Sequence, residues 1–353
     1  MCIQDNHNQK TACRRSKHQN QVAAAATSVH SEQVERNLAK VDCVIEVHDA
    51  RAPLSGRNAK FLERLRVARP HLLVLNKSDM IPKRTIAPLV KHIVDTESKS
   101  SSPLHMDPVF VSAIRDFRVK KIVPRCTKLI EGFFRDNIDF AKIQHTIMIV
   151  GVPNVGKSSI INAIRERYTG LKNEATPIGS KPGVTRHVLQ TIRISESPKI
   201  YLVDTPGVLE ANPVAYENAL RLALCGCAID KEVGVQLMAA YLLQFMQSRG
   251  THYNNNHGIY TYCNYMGLDL PTDDLRTLLT SCATMLSSKR KVRNIYDSTG
   301  GYSYKMDLDA AAAHFIFGFR RGIFGRILLD TEGLPAGMPC WEADGYTPAS
   351  ILP

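Results

Sequence analysis

The stretch that most constrains this chain is Gly151-Val152-Pro153-Asn154-Val155-Gly156-Lys157-Ser158-Ser159. It fits G-x-x-x-x-G-K-[ST], a loop whose backbone N–H groups cradle nucleotide phosphates. The run before it, His145-Thr146-Ile147-Met148-Ile149-Val150, is apolar and β-branched and predicts a buried strand. Ser159 to Arg165, which follows, has helical character. In a strand–loop–helix setting the positive end of the helix faces the anion and Lys157 adds a point charge. Ser158 is then placed to ligate a magnesium ion, and Asn154, Val155, Gly156 and Ser159 line the phosphates. An ordinary strand–helix turn is the bland alternative, and the intact context argues against it.

A second signal lies upstream. His71-Leu72-Leu73-Val74-Leu75 predicts a strand that runs directly into Asn76-Lys77-Ser78-Asp79, an N-K-x-D tetrad. A carboxylate at Asp79 can accept hydrogen bonds from guanine N1–H and the exocyclic amine. Adenine lacks that donor pair, and a site built for it would leave a buried charge unpaired. Asn76 can tie this loop to the phosphate loop, and the Lys77 stem can lie along the ring face. Pro108 to Val111 predicts another strand, ending in Ser112-Ala113, whose backbone N–H groups can meet guanine O6. Alone, either short motif is weak; after the phosphate loop is found, they reinforce it.

Downstream, Pro177 to Arg186 is rich in glycine and proline, and Thr185 can close onto magnesium. Strands are predicted from Leu189 to Ile194 and from Lys199 to Val203. The second ends in Asp204-Thr205-Pro206-Gly207, a D-x-x-G element. Asp204 would hold magnesium through water, and the Gly207 N–H would meet a γ-phosphate. Val208 follows directly, and a valine cannot orient water.

Charge and composition bound the partners. The net charge of +12 favours a polyanion, either nucleic acid or an anionic membrane face. Nine dispersed cysteines without a C-x-x-C pair predict reduced thiols in a reducing compartment. No apolar run approaches the roughly 18 residues of a membrane span, so a soluble or peripheral protein is expected. Residues 1–35 are polar and basic, with Asp5 the only acid before Val29. They suit a mitochondrial transit peptide, a disordered basic arm or an imperfectly defined chain start.

The remaining N-terminal stretch predicts a strand at Val41–His48, the loop Asp49-Ala50-Arg51-Ala52-Pro53-Leu54-Ser55-Gly56-Arg57-Asn58, and a short helix with Phe61, Leu62 and Leu65 on one face. A further helix is expected from about Lys120 to Phe134. Beyond about Asn212 the sequence reads as helices, including Asn218 to Leu224 and Val233 to Met246. His252 to Tyr265 reads as a loop, and Cys225 with Cys227 as buried thiols rather than a metal site. Lys289-Arg290-Lys291-Val292-Arg293 and Phe319 to Arg326 carry cations that suit an RNA backbone, with a solvated helix face as the alternative. After Asp330, several prolines and glycines predict poor order.

The order of these elements is unusual. Base-reading loops at 76–79 and 112–113 precede the phosphate loop, and the switch elements at Thr185 and 204–207 come last. With Val41–Asn58 and Gly151–Ser159, this arrangement resembles the circularly permuted GTPases that assemble ribosomal subunits, most closely their mitochondrial ribosome-associated branch. The resemblance covers about Val41 to Val208, and more loosely Asp307 to Asp330. It implies an α/β fold, a three-layer P-loop GTPase domain permuted to the order G4-G5-G1-G2-G3, followed by a small all-α domain. Boundaries are expected at 1–35 for the arm, 36–210 for the GTPase domain, 211–335 for a helical RNA-docking domain and 336–353 for a tail.

The resemblance further implies GTP hydrolysis with Mg2+ as a switch in maturation of the large ribosomal subunit and its rRNA. Localisation would be the mitochondrial matrix, or the matrix face of the inner membrane by peripheral contact. Asn154 matches a position that helps hold K+ in cation-dependent relatives, and with Lys157 and Gly207 it forms the implied catalytic set. Relatives also carry a W-F-P-G-H-M element whose His is a proposed catalytic group. This sequence has none, and His30 does not match it. Catalysis would then rest on potassium and the ribosome, or the N-terminus is not that of the functional protein. Two rival readings are a nucleotide-responsive RNA-binding factor with negligible hydrolysis and a GTPase of cytosolic or nucleolar ribosome assembly.

Overall fold

Strands β1 (Cys43–Asp49), β2 (His71–Asn76), β3 (Val109–Phe110), β4 (Gln144–Val150), β5 (Gln190–Glu196) and β6 (Lys199–Asp204) form one sheet in the order β3-β2-β1-β4-β6-β5. This computed structural model describes residues 38, 40–57, 68–97, 108–134, 144–170, 190–196, 199–204, 216–250, 257–293 and 302–342. The N-terminal arm, the helix expected around Phe61, the segment with Thr185, and Gly207 with Val208 lie outside them.

The pairs β3–β2, β2–β1, β1–β4 and β4–β6 are parallel, and only the edge strand β5 runs antiparallel, to β6. β1 is buried along its whole length, and β2 along all but its first residue. Strands covered on both faces read as near-continuous apolar runs, which is why Val44-Ile45 and Leu72-Leu73-Val74-Leu75 lack alternation. Helix α1 (Ile86–Glu97) buries Leu89 and Ile93. α2 (Ile122–Phe133) buries Ile122, Cys126, Leu129 and Ile130 and packs on β1 and β2. α3 (Lys157–Thr169) buries Ile160, Ile161 and Ile164 and lies beside β5. In each case the buried residues recur at three- and four-residue intervals, one helical face. The result is the permuted P-loop GTPase fold, with its loops gathered at the carboxyl ends of adjacent parallel strands.

The C-terminal part is mainly helical, as expected: α4 (Tyr216–Leu224), α5 (Asp230–Val233), α6 (Val235–Gly250), α7 (His257–Met266), α8 (Leu275–Met285) and α9 (Leu308–Arg320). Its buried residues join those of the sheet in one contiguous core. Two antiparallel pairs accompany the helices, β7 (Lys289–Arg293) with β8 (Tyr302–Met306) and β9 (Arg326–Ile327) with β10 (Trp341–Glu342). The basic cluster at 289–293 is therefore a strand and not a helix face.

Two sequence expectations are corrected. The Asn- and Tyr-rich stretch thought to be a loop contains α7, because Tyr262, Cys263 and Met266 share one face and are buried. The segment after Asp330 is packed through Glu342 despite its prolines and glycines. Cys340 and Trp341 are buried, and the Trp341 indole Nε1 donates to the Phe324 carbonyl at 2.7 Å. Burial of the Trp341 indole and the Cys340 thiol at the end of the segment outweighs the turn composition before them.

Candidate functional site

β4 delivers the chain into the glycine loop, and α3 leaves it from Gly156, which holds φ at 93°. A side chain at Gly156 would put its Cβ 2.3 Å from Asn76 Nδ2, so only glycine lets the two loops meet. Gly156 also caps α3 without a side chain, leaving the positive helix end to the loop. Lys157 is buried, with Nζ donating to the Gly151 carbonyl at 2.9 Å and the Val152 carbonyl at 3.0 Å. It is thus held over the loop it would share with phosphates. Asn154 stands in the left-handed region, φ 60°, and its Nδ2 donates to the Gly226 carbonyl at 2.8 Å.

Asn76 joins the base-reading loops to the phosphate loop through one amide. Its Nδ2 donates to the Val155 carbonyl at 2.9 Å, and its Oδ1 accepts from the Ala113 N–H at 3.1 Å. Three loops that are far apart in sequence are therefore fixed to one another by a buried side chain. Ser78 N–H donates to the Val111 carbonyl at 2.9 Å, which sets the N-K-x-D loop against the loop carrying Ser112. Ser112 pairs with Phe117 through both backbone groups. Asp79 meets the Arg115 Nε at 3.4 Å, and the Asp79 carbonyl accepts from Arg326 at 3.3 Å.

Lys77, also left-handed at φ 61°, sends its Nζ to Asp49 Oδ2 at 2.8 Å and to the Asn154 carbonyl at 3.0 Å. Asp49 receives Arg51 as well, Nε at 3.0 Å and Nη2 at 2.8 Å, in the bidentate fork that suits guanidinium and carboxylate. Burial pushes the Asp49 carboxyl up, but Arg51 and Lys77 outweigh it and hold it well below the usual carboxylate range. The Arg51 guanidinium continues to the Cys225 carbonyl at 3.4 Å and stacks over Phe319 at 5.1 Å. A second tie lies nearby, where buried Asp330 accepts from the backbone N–H groups of Leu54 and Ser55 at 2.6 and 2.8 Å and from Arg221 at 3.1 Å. The helical part thus reaches the phosphate loop through Gly226, and the loop after β1 through Cys225 and Asp330.

From sequence, Asp49–Asn58 reads as a loop that contributes to the family resemblance and Asp330 bounds that resemblance, but neither these residues nor Gly226 carry a site role there. The available signal was charge inside an apolar run: Glu46, His48 and Asp49 interrupt β1 yet are buried. Glu46 accepts from His48 at 2.6 Å and pairs with Arg57 at 3.5 Å. Burial raises its carboxyl, and Arg57 and His48 bring it well below the ordinary range. The Cys225 and Cys227 thiols are buried and free. Burial first, and Asp49 second, push Cys227 up to about 11 and Cys225 well up, so neither is ionised near neutral pH. Among the described residues no cluster could hold a metal by side chains of His, Cys, Asp and Glu alone.

The register Ile149↔Asp204 sets the end of β6 beside the strand that enters the phosphate loop. Ser158 stands in the first turn of α3, across that same loop. A hydroxyl and a carboxylate are hard oxygen donors of the kind Mg2+ takes, so the residues present fit that ion. Thr185 and Gly207 lie outside the described residues.

Fold and loops together define a P-loop GTPase domain with its elements in permuted order. The family described as 50S ribosome-binding GTPase matches residues 146–253. Mitochondrial GTPase 1 of Aedes aegypti is 41% identical over 300 residues, covering 85% of this chain and 90% of the relative. Mitochondrial ribosome-associated GTPase 1 of Bos taurus is 37% identical over 301 residues, covering 85% of each. Ribosome biogenesis GTPase A of Bacillus cereus is 32% identical over 217 residues, 61% of this chain and 67% of the relative. The chain belongs to the family of the mitochondrial ribosome-associated GTPases.

Proposed function

We propose that this chain is a mitochondrial GTPase that hydrolyses GTP to GDP and phosphate as a switch in assembly of the large ribosomal subunit. The observation that carries this reading is the Asn76 amide, which bonds the phosphate loop on one side and the Ala113 loop on the other. Phosphate cradle and base-reading loops are then tied together, and Asp79 would accept from guanine. The Ser112 and Ala113 N–H groups are given to the Phe117 carbonyl and Asn76 Oδ1 and would have to leave those acceptors to meet O6. The names of its relatives, ribosome-associated and ribosome biogenesis GTPases, support the ribosomal role and the mitochondrial location.

In the reaction, Lys157 exchanges its two loop carbonyls for phosphate oxygens and stabilises charge that develops on the transferring group. The Val155 to Ser159 backbone orients the phosphates. Ser158, Asp204 and Thr185 would hold magnesium, which would neutralise charge on the phosphates. Val208 supplies no group to position water, so turnover by the chain alone is slow. Asn154 is the candidate ligand for K+, whose charge would assist Lys157. The amide oxygen would serve that role, while the amide nitrogen donates to the Gly226 carbonyl.

Steady-state GTP hydrolysis in K+ or Na+, with and without purified mitochondrial large subunits, tests the proposal. Stimulation by subunits, larger in K+, is the expected outcome. Tight GTP binding without turnover in any condition would replace the enzyme by a nucleotide-responsive RNA-binding factor.

A further inference from the structure

A two-stranded ribbon normally hides one face against a helix or sheet, since alone it is marginally stable. The ribbon β7–β8 leaves its richer face open. Directly opposed residues share a face, so the register places Lys289 with Met306 and Lys291 with Tyr304 on one side, together with Tyr302 two residues before Tyr304. Tyr302 is 60% exposed, Tyr304 68% and Met306 48%, and Lys289 and Lys291 are exposed with them. The Lys291 ammonium sits 4.0 Å from the centre of the Tyr302 ring. The other side carries Arg290 with Lys305 and Val292 with Ser303, and there Arg290 reaches Asp309 at 3.1 Å. None of the ten strand residues is acidic. The ribbon is anchored at its base, where the Asp307 N–H donates to the Ser288 carbonyl at 3.1 Å and the Asp307 carboxylate caps α9.

We propose that the Lys289–Lys291–Tyr302–Tyr304 face of this ribbon docks an unpaired RNA strand, with the tyrosines stacking on bases and the lysines meeting phosphates. The proposal rests on the ribosomal reading only for the source of that RNA. Charge complementarity selects the class: cations on strands whose own residues include no acid attract a polyanion. The aromatic rings then select unpaired RNA over duplex, because only splayed bases offer their faces for stacking. A membrane-seeking ribbon would place Trp, Phe and Leu here in preference to lysine opposite tyrosine.

The test uses the full chain, with binding of a short labelled single-stranded RNA and its duplex followed by anisotropy over a salt series. The parent should prefer the single strand. Tyr302→Ala with Tyr304→Ala should weaken that binding about tenfold or more and leave the salt slope unchanged. Tyr302→Phe with Tyr304→Phe should restore it. Lys289→Ala with Lys291→Ala should reduce the salt slope by roughly 0.7 for each lysine that meets a phosphate. GTP affinity, measured on every variant, should not move, which shows that the fold is kept. Unchanged RNA affinity in the tyrosine pair would overturn the proposal. So would equal loss on duplex, or a loss seen only with anionic phospholipid vesicles or with a protein component of the subunit. Subunit-stimulated hydrolysis is read separately, so loss of the ribbon's role and loss of the GTPase reading give different results.

Discussion

Lys77 and Lys157 share a side chain with Lys289 and Lys291 but not an environment. The first pair is fixed by named acceptors, Asp49 and the carbonyls of Asn154, Gly151 and Val152. The second pair stands in solvent on a ribbon without acids. A fixed, partly desolvated charge can discriminate position, because moving it costs hydrogen bonds. A solvated charge attracts any nearby polyanion and is screened by salt. The same net charge therefore divides into two functions, one that reads a small anion by geometry and one that draws in a large one by field.

Breaking the fixed side should give the largest effects. Asp49→Ala leaves Arg51 and Lys77 without their common carboxylate, and removal of one partner from a buried pair costs about 3–5 kcal/mol. Chemical denaturation should register that loss, and Lys289→Ala by contrast should change stability little. Lys157→Ala should keep the fold and lower subunit-stimulated turnover about 100- to 1,000-fold, the scale for a group aimed at developing charge. Single-turnover hydrolysis checks this.

A smaller effect sharpens the comparison by pH. Asp49 and Glu46 lie below their usual range in the folded protein, so the unfolded chain binds more protons. Their stabilisation is complete above about pH 4 and is lost as pH falls below that toward their folded values. Thermal melts from pH 5 downward should show Asp49→Asn losing stability less steeply than the parent. The smallest expected effect is that of Asn154→Ala, about 1 kcal/mol for the lost bond to Gly226, together with loss of any preference for K+ in turnover.

The fixed side was also the more legible. Each nucleotide loop is a short local pattern at the end of an apolar run, and its residues must be contiguous to form the turn they make. The six strands follow from the same runs, and β1, β2 and β4 lie within a residue or two of where β-branched composition put them. Arg51 could not be read that way. Its partners include Cys225, 174 residues away, and Phe319, and nothing local to Arg51 names them. Asp330 has the same difficulty, as its backbone partners Leu54 and Ser55 lie 276 and 275 residues upstream. The ribbon was half legible. Its cations were evident as a cluster, but the strand that places Tyr302 and Tyr304 beside them comes from pairing across the chain, which composition does not show.

Asn76 ties the permuted loops together, and as one guanine-nucleotide site they must read the base as well as the phosphates. Calorimetric titration of the full chain with GTP, ITP and ATP in the presence of Mg2+ tests it most directly. ITP lacks the exocyclic amine that Asp79 would accept from, and ATP lacks the N1–H as well. Tight GTP binding is expected, with ITP weaker by at least about tenfold, the worth of one charge-assisted hydrogen bond, and no measurable ATP binding. Equal affinity for GTP and ATP would contradict it, since Asp79 would then not be reading the base.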